Sequence, residues 1–133
     1  MEQKDNEIET VKKYLQSYAI NKKMLIMEKY SKEYFAEGGE DDPLLSDSSN
    51  EAFIKAKMYE VRRFIMSIED GNARLMLFHH YIKGISVERC AEMMNISRTS
   101  GFRLRKRALK IAGELYDKNL SEKSSKTRSS FAA

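Results

Sequence analysis

A chain of 133 residues is long enough for one compact domain, or for a small domain with an extension. Charged residues make up 33% of it, and no apolar run approaches the roughly 18 residues that cross a bilayer, so no transmembrane helix is expected. The first ten residues, MEQKDNEIET, are polar and acidic, unlike the basic start of a signal peptide. Because Cys90 is the single cysteine and no internal disulfide can form, these features together predict a cytoplasmic protein.

The positive charge is concentrated at one end of the chain. The net charge is +4, and the residues from Arg98 onward hold ten Lys and Arg against three Asp and Glu. The residues before Arg98 carry an excess of acidic groups. This polarity favours an anionic partner, with nucleic acid as the first candidate, over the plainer interpretation of a solvated charged helix.

Apolar residues recur at helical spacing through the chain, which predicts an all-α fold of five helices. The first helix, about 6–37, is longer than a small core requires. It either packs lengthwise over the rest of the chain or pairs with another copy to form a homodimer. Its inward positions step by three and four, and Lys22 interrupts the otherwise apolar series: Ile8, Val11, Leu15, Tyr18, Lys22 and Leu25.

Changes in composition divide the chain into four parts. The N-terminal helix, a candidate oligomerisation segment, occupies 1–37, and a linker rich in turn residues occupies 38–50. A helical domain follows over 51–119. The Ser- and Lys-rich tail over 120–133 is expected to be disordered.

Two helices open the helical domain, at about 50–69 and 73–82. Gly71 is expected to end the first of them in a left-handed conformation, and Asn72 to cap the second. Gly84 is expected to end that second helix. The buried side of the helix over 50–69 is predicted from steps of four and three: Ile54, Met58, Val61, Ile65 and Ile68.

The next segment, 86–110, predicts a helix-turn-helix. Ser86 suits the N-cap of its first helix, and Ser97 suits the N-cap of its second. Asn95 occupies a turn position that often requires a positive φ, which asparagine tolerates better than most residues. Ala91 is small and is expected to lie where the two helices cross most closely.

The second helix of this motif, 98–118, is apolar on one side and cationic on the other. Such a helix, held by a partner helix, is suited to a DNA major groove, where its first turn sits deepest and later basic residues meet phosphates. The residues expected to read bases are Arg98, Thr99, Ser100 and Arg103. Those expected to contact phosphates are Ser97, Arg105, Lys106, Arg107 and Lys110. The inward side is expected to consist of Gly101, Leu104, Ala108, Ile111 and Leu115.

No set of residues predicts catalysis or a metal site. His79 and His80 are adjacent and lack the spacing of zinc ligands, so packing or surface roles are favoured. Cys90 falls on the buried side of its helix with no histidine nearby in sequence, which favours a core role over a nucleophile. The protein is therefore expected not to be an enzyme and to need no cofactor.

Four short stretches carry a resemblance to known proteins: Tyr81–Gly84, Ala91–Met94, Asn95–Arg98 and Arg107–Leu109. Through them, the segment from about 61 to 115 resembles region 4 of sigma-70-type RNA polymerase sigma factors. The arrangement over about 8–118 more closely resembles ArpU-type phage transcriptional regulators. That resemblance implies a long N-terminal helix plus a sigma region 4-like helix-turn-helix bundle, which controls phage or prophage genes by binding double-stranded DNA.

Gly101 departs from this pattern, because a larger residue is expected inside the recognition helix. A helical glycine costs about 1 kcal/mol relative to alanine. The helix over 98–118 is therefore either loose until DNA orders it, or shaped by a close backbone approach at Gly101.

Three functions remain open at this point. The first is a sequence-specific DNA-binding transcriptional regulator. The second is a DNA packaging protein similar to phage small terminase subunits, which also join a helix-turn-helix to an oligomerisation segment. The third is a module that contacts RNA polymerase without reading DNA. None of the three requires a membrane.

Overall fold

The computed structural model describes residues 2–37 and 48–132, which form five α-helices and no β-strand. The all-α prediction is confirmed for these residues. A short π-helical turn, Phe78–Ile82, continues the third helix. The α-helices are α1 (Glu2–Glu37), α2 (Ser48–Met66), α3 (Gly71–Leu77), α4 (Val87–Met93) and α5 (Arg98–Ala132).

The long helix α1 packs on its own chain, against α2 and α5. Val11, Leu15 and Tyr18 are buried in the main core, and Leu25 packs against its edge. The expectation that the N-terminal helix lies along the rest of the chain is therefore confirmed for this face. Its opposite face is exposed.

The main core is built around α2. The five residues predicted to point inward over 50–69 are all buried, although α2 ends at Met66 and Ile68 follows it. From α5, Ala108, Leu109 and Ala112 join the same core. Aromatic rings join the three helices, since Tyr14 of α1 packs at 5.4 Å from Phe64 and 4.6 Å from Tyr116 between ring centroids. Burial raises the pKa of the Tyr14 phenol, and the negative charge of Glu60 raises it further.

The helix boundaries around α3 differ from the prediction. Asp70, not Asn72, is the N-cap, and its carboxylate accepts hydrogen bonds from the amides of Asn72 and Ala73 at 3.1 and 3.2 Å. Gly71 has no positive φ and begins α3. An aspartate just before a helix competes well for the cap position, and here it precedes the asparagine. Gly84, with φ of 69°, does follow the end of the π-helical turn as expected.

The linker and the C-terminal tail were both predicted to be non-helical, and the structure describes them differently. Of the linker predicted over 38–50, residues 38–47 lie outside the described residues, and the rest belong to the first turn of α2. The tail predicted to be disordered over 120–133 continues α5 as far as Ala132. No glycine or proline follows Gly113, so no residue type that breaks helices interrupts this stretch.

None of the helices in the described parts of the chain combines the length and apolarity needed to cross a bilayer.

Candidate nucleic-acid interface

The helices α4 and α5 approach each other closely at Gly101. A Cβ atom added to Gly101 would lie 2.8 Å from the Cβ of Ala91 and 3.6 Å from the carbonyl oxygen of Val87. No ordinary Cβ contact is as short as 2.8 Å, so only glycine fits without a shift of α4. Of the two expectations for Gly101, the structure shows the close approach. Ala91 stands at the crossing point, as predicted.

The turn between α4 and α5 has the geometry of a Schellman motif, with Asn95 in the left-handed conformation at φ 57°. The Asn95 amide donates to the carbonyl of Glu92 at 3.1 Å, and the Ile96 amide donates to the carbonyl of Ala91 at 3.0 Å. These bonds satisfy two carbonyls in the last turn of α4. The positive φ predicted for Asn95 is confirmed.

Two serines cap the helices that flank this turn. The Arg89 amide donates to Ser86 Oγ at 3.3 Å at the start of α4. The Ser100 amide donates to Ser97 Oγ at 3.1 Å at the start of α5. Both predicted caps are present. Together with the contact at Gly101, they hold α5 at a fixed angle to α4.

A second, smaller core lies beneath α4. Met76, Val87 and Cys90 are buried there, and Leu104 of α5 packs against them. Burial raises the pKa of the Cys90 thiol, which donates to the carbonyl of Ile85 at 3.7 Å. The core role predicted for Cys90 is confirmed.

The face of α5 that points away from the core is exposed and cationic. Thr99, Arg103, Lys106 and Lys110 are all exposed and recur at helical spacing. Within the described residues, none of the three basic side chains forms an ion pair. We call these four residues, with Arg98 and Phe102, the cationic face.

The start of the cationic face holds a shallow depression of about 370 Å³. It is lined by Arg98, Thr99, Phe102, Arg103 and Lys106. Arg98 bends back here, because its guanidinium lies 3.3 Å from Glu88 and 5.9 Å from the centre of the Phe102 ring. The Arg98 side chain is nevertheless 75% exposed, and an ion pair this open contributes little to stability. An incoming anion can therefore replace Glu88.

Two of the predicted phosphate contacts do not join the cationic face. Arg105 is half-buried, and its Nε is buried without a hydrogen-bond partner in the described part of the chain. Arg107 donates to Asp70 Oδ2 at 3.0 Å and so ties α5 to the start of α3. Lys106 and Lys110 remain open to solvent.

The two predicted serine contacts are engaged with each other. The hydroxyl of Ser97 donates to the hydroxyl of Ser100 at 2.9 Å, while it also accepts the capping bond from the Ser100 amide. Both serines are exposed at the start of α5. They lie beside the cationic face, at the end of α5 where free amides and the helix dipole favour anions.

Sequence reasoning missed two residues. Phe102, which is not among the residues predicted to contact DNA, is 40% exposed and lies near Arg98 on the cationic face. Asp70 is the second, since it pairs with Arg107, which is 37 positions away in sequence. A helical wheel would have placed Phe102 beside Arg98, since the two are four residues apart. No local signal identifies the pairing of Asp70.

The described residues contain no cluster of three or more side chains that could hold a metal ion. His80 Nδ1 lies 2.8 Å from the carbonyl oxygen of Ile85, just beyond the end of the π-helical turn. His79 Nδ1 is buried. Both histidines are half-buried and each ring lies beside an aromatic neighbour, which is the packing role predicted for them.

Comparison with known proteins relates the chain to a protein family. No curated protein and no solved structure matches the chain. A family described as Protein of unknown function (DUF1492) matches residues 45–112, a range that takes in α2, α3, α4 and the cationic part of α5. Because this match covers just over half of the 133 residues, the chain belongs to the DUF1492 family.

Proposed function

We propose that this protein is a sequence-specific DNA-binding transcriptional regulator of phage or prophage origin that inserts the cationic face of α5 into a major groove. The observation that carries the proposal is an exposed face whose three basic side chains form no ion pair within the described residues, on a helix whose angle is set by the Gly101 contact. From Thr99 to Lys110 this face is about 17 Å long. A B-DNA major groove admits a helix of this kind.

Within this proposal the face has two parts. Arg98, Thr99, Ser100 and Arg103 approach base edges, because they lie at the start of the helix. Arg103 is best placed for a bidentate contact to guanine, since it is exposed and has no ion pair to break within the described residues.

The later residues of the face act as anchors. Lys106 and Lys110 contact phosphates and fix the position of the helix without reading sequence. The amides at the start of α5, beside Ser97, favour a further phosphate. Arg105 and Arg107 have no role in this proposal, because Arg105 is half-buried and Arg107 is paired with Asp70.

Salt dependence tests this proposal. Affinity for a double-stranded fragment is measured by fluorescence anisotropy at several salt concentrations. Each phosphate neutralised contributes about −0.9 to the slope of log affinity against log salt, so the double variant Lys106→Ala/Lys110→Ala is expected to make the slope shallower by about 1.8.

The matched control is Lys29→Ala/Lys57→Ala, which removes the same charge from exposed positions on α1 and α2. It is expected to leave the slope unchanged. Undetectable binding by the wild-type protein, or equal slopes for both double variants, would contradict the assignment of DNA to α5.

A second candidate is the module that contacts RNA polymerase without reading DNA. A groove of about 640 Å³ between α2 and α3 supports it, since exposed apolar side chains there are flanked by arginines. Pull-down of polymerase from nuclease-treated extract separates the two. Capture that persists without nucleic acid, and that is lost in Met66→Glu but not in Arg103→Ala, favours the module, whereas no capture from the treated extract favours DNA binding. The groove is lined by Tyr59, Arg62, Arg63, Met66, Arg74, Leu75, Phe78 and His79.

A further inference from the structure

We propose that the outer face of α1 joins two copies of this chain in a parallel, in-register two-stranded coiled coil. The face consists of large apolar side chains exposed to solvent. Ile20 is 59% exposed, Met24 45% and Met27 68%. Tyr30 beside them is 68% exposed. Side chains of this size are rarely left in such a run unless something covers them.

The spacing of these residues is that of a coiled-coil seam. Positions 20, 24, 27, 31 and 34 are separated by steps of four, three, four and three, which is the heptad pattern. The seam covers about 21 Å of the helix. Before Ile20 the same pattern falls on Lys13 and Ser17, so the seam begins at Ile20 and is apolar at every position except Ser31.

The seam lies opposite the face that packs on the domain. Ile20 is nine residues after Val11, and nine residues turn a helix by about 900°, which places the two side chains on opposite sides. Val11 is fully buried in the main core, whereas Ile20 is exposed. A second copy can therefore cover the outer face without displacing the domain from the inner face.

The charges beside the seam identify the partner as this same chain. Lys23 directly precedes Met24 and Glu28 directly follows Met27, so the two charges lie on opposite sides of the seam. In a parallel in-register pair, these positions, five residues apart, form ion pairs between the two helices. Lys23 has no ion pair within the described residues.

Glu28 is available for this pairing. Its Oε1 accepts a hydrogen bond from the Asn50 side chain, which leaves Oε2 for the lysine of the other copy. Because the pair has two-fold symmetry, this contact between Lys23 and Glu28 forms twice. An antiparallel pair would instead bring Lys23 towards Tyr30 or towards its own counterpart, with no complementary charge.

This arrangement rests on the proposed function in one respect only: two cationic faces related by a two-fold axis would read a two-fold-symmetric DNA site. Dimerisation itself is measured without DNA. Failure of one proposal is therefore distinguishable from failure of the other.

Sedimentation equilibrium of the full chain tests the interface. The wild-type protein is expected to form a reversible dimer as its concentration rises towards about 200 µM. Met27→Glu is expected to raise the dissociation constant at least about tenfold, because it places a charge in the seam of each helix. Circular dichroism checks that the helix content is retained, which is expected at an exposed site.

Met66→Glu is the matched control, because Met66 is 57% exposed on α2. It is expected to leave the dissociation constant unchanged. A wild-type monomer at every concentration would overturn the proposal. Loss of the dimer in Met66→Glu but not in Met27→Glu would also overturn it, and would place the interface in the groove between α2 and α3.

Disulfide trapping tests the orientation. In a parallel in-register pair each seam residue meets its own counterpart, so Ile20→Cys is expected to cross-link with itself, whereas Lys29→Cys on the opposite side of α1 is not. The native Cys90 is buried, so the wild-type protein gives the background level of cross-linking. In an antiparallel pair Ile20 would face position 31, about 16 Å from its counterpart, so cross-linking only between Ile20→Cys and Ser31→Cys would overturn the proposed orientation.

Discussion

Gly101 shows how one small residue can determine the shape of a functional surface. A glycine inside a helix weakens it when considered alone. Here the missing side chain lets α4 and α5 approach until their atoms touch at Ala91 and Val87. The angle of the cationic face therefore depends on a residue that carries no charge and contacts no ligand.

Replacement of Gly101 tests this dependence. Gly101→Ala is expected to destabilise the fold by about 1–3 kcal/mol through overpacking, despite the better helix propensity of alanine. Urea unfolding measures the change. Ala91→Gly in the same chain is expected to restore part of the loss, because it removes the atom that the new Cβ would meet at 2.8 Å.

Gly71 supplies the control for this substitution. It also lies in a helix, but an added Cβ there would approach nothing closer than the Arg74 guanidinium at 4.0 Å. Gly71→Ala is expected to be neutral or to stabilise by up to about 1 kcal/mol. If Gly101→Ala were equally harmless, the close approach would not shape the α4–α5 pair.

Residues with local roles could be predicted from the sequence, and residues with distant partners could not. Asn95, Ser86 and Ser97 act through hydrogen bonds within a few positions, which spacing alone identifies. Arg107 looks like a DNA contact from its position on the helix. Its pairing with Asp70 depends on how α3 and α5 pack, and this information is absent from local sequence.

At the scale of elements, Asp70 links two helices. One oxygen of its carboxylate caps α3, and the other accepts from Arg107 of α5. The cap satisfies two amides, while the ion pair is more than half exposed on the arginine side. The cap should therefore contribute more to stability than the ion pair.

Three variants separate these two contributions. Asp70→Asn keeps a good capping group and loses the ion pair, so it is expected to cost less than about 1 kcal/mol, as is Arg107→Ala. Asp70→Ala loses both and is expected to cost about 1–2 kcal/mol. Thermal or urea unfolding gives the comparison; equal losses for Asp70→Asn and Asp70→Ala would show that the cap contributes nothing.

Most of the helices could be predicted, because their apolar periodicity is strong. The inward residues of α2 and the first inward residues of α1 lie where the pattern places them. The start of α3 differs from the prediction, since Asp70 and Asn72 are both good caps and Asp70, which comes first in the chain, is the one used. The continuation of α5 to Ala132 could not be read from a composition that is also typical of disordered tails.

At the scale of the whole molecule, the surfaces that pack in the core and the surface that carries the positive charge lie on different sides of α5. The core joins α1, α2, α3 and α5 on one side of α5, and the cationic face lies on its other side. The seam on α1 faces away from the core as well. The fold thus presents two different surfaces, one charged and one apolar, on helices that are each anchored by their inner faces.

The measurement that tests the central claim most directly is selection of bound sequences from a random pool of double-stranded DNA. The wild-type protein is expected to enrich a defined motif. Arg103→Ala is expected to lose the preference at one base pair of each site, a discrimination worth about 1–3 kcal/mol, while it still enriches the remaining positions. A pool that stays unenriched with the wild-type protein, or an Arg103→Ala motif identical to the wild-type motif, would contradict base reading by the cationic face of α5.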